Sequence, residues 1–158
     1  IRNHYVGRTF IEPSQIMREF GVKIKHNPVK DLVYGKKVVV VDDSIVRGNT
    51  AKIKIKSLRQ AGAKEVHMRI CCPPHKFSCY YGIDFPEKSK LIANNYKLEE
   101  IQKILELDSL AYLSYEGMLS CMKLPGESFC TACFSGEYPV EVDKELNKLS
   151  LELTQEGK

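Results

Sequence analysis

Two adjacent carboxylates, Asp42 and Asp43, are followed at once by a loop carrying Ser44, Arg47, Gly48, Asn49 and Thr50. The loop residues suit an anion. Ser44 and Thr50 offer hydroxyl hydrogen bonds, Arg47 adds charge, and Gly48 lets the backbone curl close. A helical pattern begins after Thr50, so the loop lies over a helix N-terminus. There, free N–H groups and the positive end of the dipole favour phosphate. The two acids would repel the phosphate itself. They suit a neighbouring diol, or a Mg²⁺ shared with a polyphosphate. A phosphate cradle one step from two carboxylates describes a site for a phosphorylated sugar.

A second constellation is built of thiols. The chain holds 6 cysteines, and Cys130-Thr131-Ala132-Cys133 spaces two of them as a chelate pair. This spacing occurs in zinc ribbons and in iron–sulfur sites, and it does not choose between them. Cys79 sits in an irregular aromatic segment with no apolar periodicity to explain it, which makes it a candidate third ligand. Cys71 and Cys121 are expected as small buried hydrophobes, and Cys72 by preference likewise. With no secretory signal in the sequence, metal ligation is a better default than a disulfide framework. His4, His26, His67 and His75 show no ligand spacing and are expected to be ordinary surface or core residues.

The elements that must hold these residues follow from hydrophobic periodicity. Lys37 to Val41 includes four consecutive valines and reads as a strand buried on both faces. Asp42 onward then falls at its carboxyl end, where open parallel α/β sheets bind ligands. Ala51, Ile55 and Leu58 recur at helical spacing, and Ala61-Gly62 supplies a left-handed cap. Val66, Met68 and Ile70 alternate as a strand, completing a βαβ unit. Cys72-Pro73-Pro74 stops that strand. Ser89 to Asn94 predicts a short turn of helix. Leu98, Ile101 and Leu105 predict an amphipathic helix, and Leu110 to Leu113 a buried strand. Ser114 caps a following helix of about two turns. Upstream, Pro13 opens a short helix, residues 21–25 alternate as a strand, and residues 30–37 form a turn with Gly35. Downstream, residues 125–139 read as a loop, and Leu146, Leu149 and Leu153 mark a tail helix.

Composition bounds the function. A chain of 158 residues is one domain, or a domain with a tail, and 43% apolar with 28% charged residues is a globular composition. A formal charge of +4 fits phosphate esters and is too small to argue for nucleic acid. No apolar run approaches a membrane span and no signal peptide precedes the first strand, so a cytoplasmic protein is expected. Ile1 in place of methionine points to a piece of something longer.

The apolar strand, Asp42-Asp43, the small loop and Thr50 together resemble the phosphoribosyl pyrophosphate (PRPP) loop of type I phosphoribosyltransferases. Five motifs carry the likeness further: Gly7-Arg8-Thr9-Phe10-Ile11, Val41 to Thr50, Cys72-Pro73-Pro74, Tyr81-Gly82-Ile83, and Cys130 to Pro139. Their order resembles that in the glutamine PRPP amidotransferase family, also called amidophosphoribosyltransferases. The resemblance implies an α/β fold of type I phosphoribosyltransferase kind, a parallel sheet flanked by helices. Residues 1–120 would be the C-terminal part of that domain, and residues 121–158 a cysteine-bearing loop and helix extension.

The family makes 5-phosphoribosylamine from PRPP and glutamine-derived ammonia, the committing step of purine synthesis. By resemblance, Asp42 and Asp43 match its Mg²⁺ and ribose acids, and Ser44 with Arg47, Gly48, Asn49 and Thr50 matches its 5′-phosphate cradle. Arg2 to Ile11 would be the loop that closes over PRPP and builds the ammonia channel. Arg8 and Lys25 match basic residues near the pyrophosphate, and Arg2 stands where many relatives have lysine. Cations there stabilise the departing negative charge. Cys79, Cys130 and Cys133 match three of four ligands of the [4Fe–4S] cluster in one branch. The fourth ligand, the glutaminase nucleophile and the pyrophosphate loop would all lie before Ile1, so the piece alone is expected neither to hydrolyse glutamine nor to hold a complete cluster. Purine nucleotides as feedback inhibitors and a homo-oligomeric full-length protein are further implications.

Two other classes compete. A PRPP-binding transcriptional regulator would call for a recognition helix or a dense basic stripe, and the sequence offers neither. An inactive scaffold with a structural zinc, completed by Cys72 or His75, leaves the loop after Val41 unexplained.

Overall fold

A computed structural model describes residues 28–83 and 87–142. Three strands, β1 (Lys37–Asp42), β2 (Glu65–Ile70) and β3 (Ser109–Tyr112), pair in parallel in the order β1-β2-β3. Val40 lies opposite Met68, and Met68 opposite Leu110. A four-residue helix, α1 (Lys30–Val33), precedes β1 where the sequence reads as a turn. The 12-residue α2 (Asn49–Gln60) carries the chain from β1 to β2, as the βαβ pattern predicts. Gly62 ends that segment at φ +91°, and its N–H donates to the Arg59 carbonyl at 2.9 Å.

The second crossover holds a 3₁₀ turn (Lys88–Lys90), α3 (Ile92–Asn95) and α4 (Leu98–Ile104). Glu100 Oε2 accepts the Lys97 N–H at 2.7 Å at the start of α4, which satisfies one of the unpaired donors at a helix start. After β3, Ser114 caps α5 (Tyr115–Ser120), its Oγ accepting the Gly117 N–H at 2.9 Å. The region 125–139, read as a loop, contains two single turns, a 3₁₀ turn (Gly126–Ser128) and α6 (Ala132–Ser135). The predicted Pro13 helix, the strand over 21–25 and the tail helix lie outside the described residues.

One face of the sheet forms the core. Val66, Met68 and Ile70 cluster with Ala51 and Ile55 of α2, Ile101 and Leu105 at α4, Ile92 and Leu110. Each large side chain of this kind, fully buried, contributes about 1.5–3 kcal/mol. The other face is open among the described residues, and this corrects the expectation for β1. Val38 and Val40 pack against the core, while Val39 and Val41 are 57% and 66% exposed. Four β-branched residues satisfy strand geometry whichever way they point. Burying both faces takes a second covering layer, and the described helices supply one. A polar ladder occupies the open face. Lys37 Nζ meets Glu65 Oε1 at 2.9 Å, His67 bridges Glu65 and Ser109, and Arg69 donates to Ser109 Oγ at 3.0 Å.

Candidate functional site

The sheet delivers Asp42 and Asp43 at the carboxyl end of β1, and the following loop is pinned from below. Ile45 inserts into the core, and the Val46 carbonyl accepts the Ile92 N–H at 2.9 Å. Gly48 is buried and takes φ +83° as the N-cap of α2. A Cβ at that position would lie 2.9 Å from Ile92 Cδ1. Gly48, as N-cap, has no side chain to cap α2, so among the described residues its leading N–H groups are available to an outside acceptor. Asn49 and Thr50 are exposed at that mouth.

The two acids play different parts. Asp43 Oδ1 accepts the Ser44 N–H at 2.7 Å and holds the loop's first bend. Asp42 Oδ2 accepts from Lys54 Nζ at 2.7 Å, with both side chains mostly buried. Lys54 is absent from the sequence-derived candidates. Its signal is position alone, one helical turn beyond Thr50 on the helix that crosses the strand end. Arg47 and Asn49 line an open cleft of about 490 Å³ with Ser89, Lys90, Asn95 and Tyr96. The arrangement offers a helix N-terminus for a phosphate, a carboxylate pair beside it, and cations on both flanks.

Five of the thiols lie on the segment that follows β2 and on the Cys130–Cys133 turn docked against it. Residues 71–77 leave β2 as a short strap, and the Cys71 N–H donates to the Asp42 carbonyl at 3.0 Å. Lys76 and Phe77 N–H groups donate to the Cys133 carbonyl at 3.0 and 3.1 Å, docking α6 onto the strap. His75 is buried and stacks against Phe134 with ring centroids 4.7 Å apart. Its Nδ1 lies 3.9 Å from Cys72 Sγ. Burial pushes the Cys72 thiol up to about 11, with the Asp43 charge adding to the effect. Burial lowers the His75 pKa, and Asp43 opposes it. The Cys133 pKa is raised by burial first, and further by the nearby Cys79 and Cys130. Cys71 and Cys121 are exposed, which corrects their expected burial. Each sits just past the end of a short element, where its side chain has no packed layer above it.

The donor set at Cys79, Cys130 and Cys133 suits soft-metal chemistry, being three thiols on adjoining loops. Among the described residues, no three His, Cys, Asp or Glu side chains are gathered closely enough to hold an ion by themselves. The acid pair fits Mg²⁺ in the manner usual for that ion, through one or two carboxylates with substrate phosphates completing the shell. Arg2, Arg8 and Lys25 lie outside the described residues. No helix among the described residues is long and apolar enough to cross a membrane.

No family model matches the chain. Over 154 residues it is 53% identical to the chloroplastic amidophosphoribosyltransferase of Vigna aconitifolia, covering 98% of this chain and 32% of that protein. It is 51% identical over 153 residues to the amidophosphoribosyltransferase of Synechocystis, covering 97% of this chain and 31% of that one. Among solved structures, the glutamine PRPP amidotransferase from B. subtilis complexed with ADP and GMP aligns with a TM-score of 0.76 at 46% identity. That alignment covers 93% of this chain and 33% of the neighbour. The chain therefore spans about a third of the length of the relatives it matches. By sequence over nearly all of its length, and by its parallel α/β fold, it matches one segment, about a third, of the amidophosphoribosyltransferases.

Proposed function

We propose that the chain is the C-terminal part of the phosphoribosyltransferase half of an enzyme making 5-phosphoribosylamine from PRPP and glutamine-derived ammonia. The observation that carries this is the loop after β1, where Gly48 at φ +83° opens an uncapped α2 beside Asp42 and Asp43. The likeness to amidophosphoribosyltransferases supports it. Residues 1–120 belong to the transferase domain in this reading, and residues 121–158 form the cysteine-bearing extension.

The 5′-phosphate takes the N–H groups of α2 with Ser44, Arg47, Gly48, Asn49 and Thr50 around it. Asp42 and Asp43 accept from the ribose hydroxyls and would hold Mg²⁺, which when bound would supply neutralisation of charge on the pyrophosphate. Lys54 holds Asp42 at 2.7 Å on the side away from that ligand. Arg2, Arg8 and Lys25 bring further cations to the departing pyrophosphate. Cys79, Cys130 and Cys133 supply three thiolates to a [4Fe–4S] cluster, with the fourth ligand from outside this chain.

Purine nucleotides bind the same loop as inhibitors, since an AMP-like molecule offers a ribose diol and a 5′-phosphate. The B. subtilis neighbour is complexed with ADP and GMP. A homo-oligomeric full-length protein and a cytoplasmic location complete the proposal, although several plant relatives are chloroplastic.

Calorimetric titration of the full-length protein with PRPP, with and without Mg²⁺, tests the site. Native protein should bind with Mg²⁺-dependent affinity, and Asp42→Asn/Asp43→Asn should weaken it at least tenfold. Equal affinity in the folded double variant would refute the assignment.

A further inference from the structure

The helix that follows the loop carries a charge where its pattern calls for an apolar residue. In α2, positions 51, 54, 55 and 58 fall at the i, i+3, i+4, i+7 spacing of a core-facing stripe. Ala51 and Ile55 are buried there, and Leu58 packs against them, yet position 54 is lysine. Lys52 and Lys56 of the same helix stand exposed. The Lys54 side chain is only 19% exposed.

Strand β1 breaks its pattern at the same place. Successive side chains of a strand alternate between faces, which puts Asp42 on the face of Val38 and Val40, the two valines that pack against the core. A lone charge at either position is costly. The two charges meet instead, with Lys54 Nζ donating to Asp42 Oδ2 at 2.7 Å. Such a pair is a poor device for stability, since apolar residues of similar volume often do as well or better. What it does supply is a fixed carboxylate.

That fixing leaves a definite remainder. Lys54 occupies Oδ2 of Asp42, and the Ser44 N–H occupies Oδ1 of Asp43 at 2.7 Å. Each acid therefore keeps one oxygen with no hydrogen-bond partner among the described residues. One acceptor from each of two adjacent acids matches two neighbouring hydroxyls, each of which donates one hydrogen. The ammonium also offsets one of the two negative charges beside the phosphate cradle.

We propose that Lys54 is a positioning residue for sugar recognition: it holds Asp42 so that the free oxygens of Asp42 and Asp43 together read a vicinal diol. The proposal rests on the PRPP reading of the β1 loop.

Calorimetry on the full-length protein compares AMP, which carries the diol and a 5′-phosphate, with its 2′,3′-dideoxy analogue, which keeps the phosphate and lacks the diol. Native protein should favour AMP about tenfold or more, because a site built for hydroxyls is left unpaired without them. In Lys54→Met, whose side chain suits the apolar stripe, AMP should bind more weakly and the preference should fall below about threefold, with the analogue bound as in native protein. Lys54→Arg keeps a cation on Asp42 and should retain the preference. Asp42→Asn should lose it, and Lys54→Met/Asp42→Asn should lose no more than Asp42→Asn alone, the mark of two residues acting as one unit. Urea denaturation checks folding, and Lys54→Gln stands in if Lys54→Met does not fold. A native-like preference in the folded variant overturns the proposal. Equal weakening of both ligands also overturns it, because that is what general damage to the loop produces. A native protein that binds both ligands alike, or neither, overturns the reading of the acids instead.

Discussion

Gly48→Ala separates the backbone's role in the loop from every side-chain effect. An L-residue held at φ +83° costs about 1–2 kcal/mol relative to glycine. The added Cβ meets Ile92 Cδ1 at 2.9 Å. That atom is the far end of a flexible side chain, so moving it costs about 0.5–1.5 kcal/mol more. Alanine also narrows the unfolded ensemble, which returns about 0.4–1 kcal/mol. The net destabilisation is about 0.5–3 kcal/mol.

Gly35→Ala is the matched control. Gly35 sits at φ +70° with nothing within 4 Å of its Cβ position, and it lies beyond the opposite end of β1. It should cost about 1 kcal/mol through the backbone alone. Urea denaturation followed by circular dichroism measures both losses, and calorimetric titration with PRPP measures binding. Gly35→Ala should leave affinity within about twofold. Gly48→Ala should reduce it about tenfold, equivalent to about 1.4 kcal/mol. A Gly48→Ala protein as stable as native would refute the left-handed geometry. Equal loss of binding at both positions would refute the loop as the phosphate cradle.

Three further outcomes follow. The Val66 N–H at 2.6 Å and then Arg59 at 2.7 Å hold the Asp108 carboxyl below its ordinary value. Because the folded pKa is the lower one, that stability is complete above about pH 4 and is lost as pH falls through the folded value. Denaturation midpoints measured across the acid range should show Asp108→Asn with a flatter decline than native. The Cys72 thiol, raised to about 11, should alkylate well after exposed Cys71 and Cys121 near about pH 8, and peptide mapping of a labelling time course reads the order. The Tyr112 hydroxyl is buried with no hydrogen-bond partner among the described residues. Tyr112→Phe should therefore be neutral or stabilising by up to about 1 kcal/mol, and a clear loss in urea midpoint would reveal a partner for that hydroxyl.

Legibility differed by the range of the forces involved. The strand of β2 was readable because alternation of Val66, Met68 and Ile70 is a local pattern with one buried side. The Ser114 cap and the Gly62 left-handed end were readable for the same reason, each being fixed by its own turn. The valines of β1 announced a strand but not its surroundings, since exposure of Val39 and Val41 depends on what lies across the sheet. Asp42 and Asp43 were legible as a pair, while the division of labour between them was not. Lys54 reaches Asp42 from 12 residues away, and only the packing of α2 over β1 brings it there. His75 read as an ordinary histidine, because its burial depends on Phe134, far along the chain.

The open flank of β1 bears on how this polypeptide behaves in solution. Among the described residues β1 pairs only with β2, leaving one rim of backbone donors and acceptors unmatched. Lys37 is the single charge that guards it at the amino end, and Val38 to Val41 offer no other gatekeeper. An apolar, unbulged rim of this kind recruits further strands from other molecules. On the described sheet, that rim is the place where a further strand, from this chain or from another, would add.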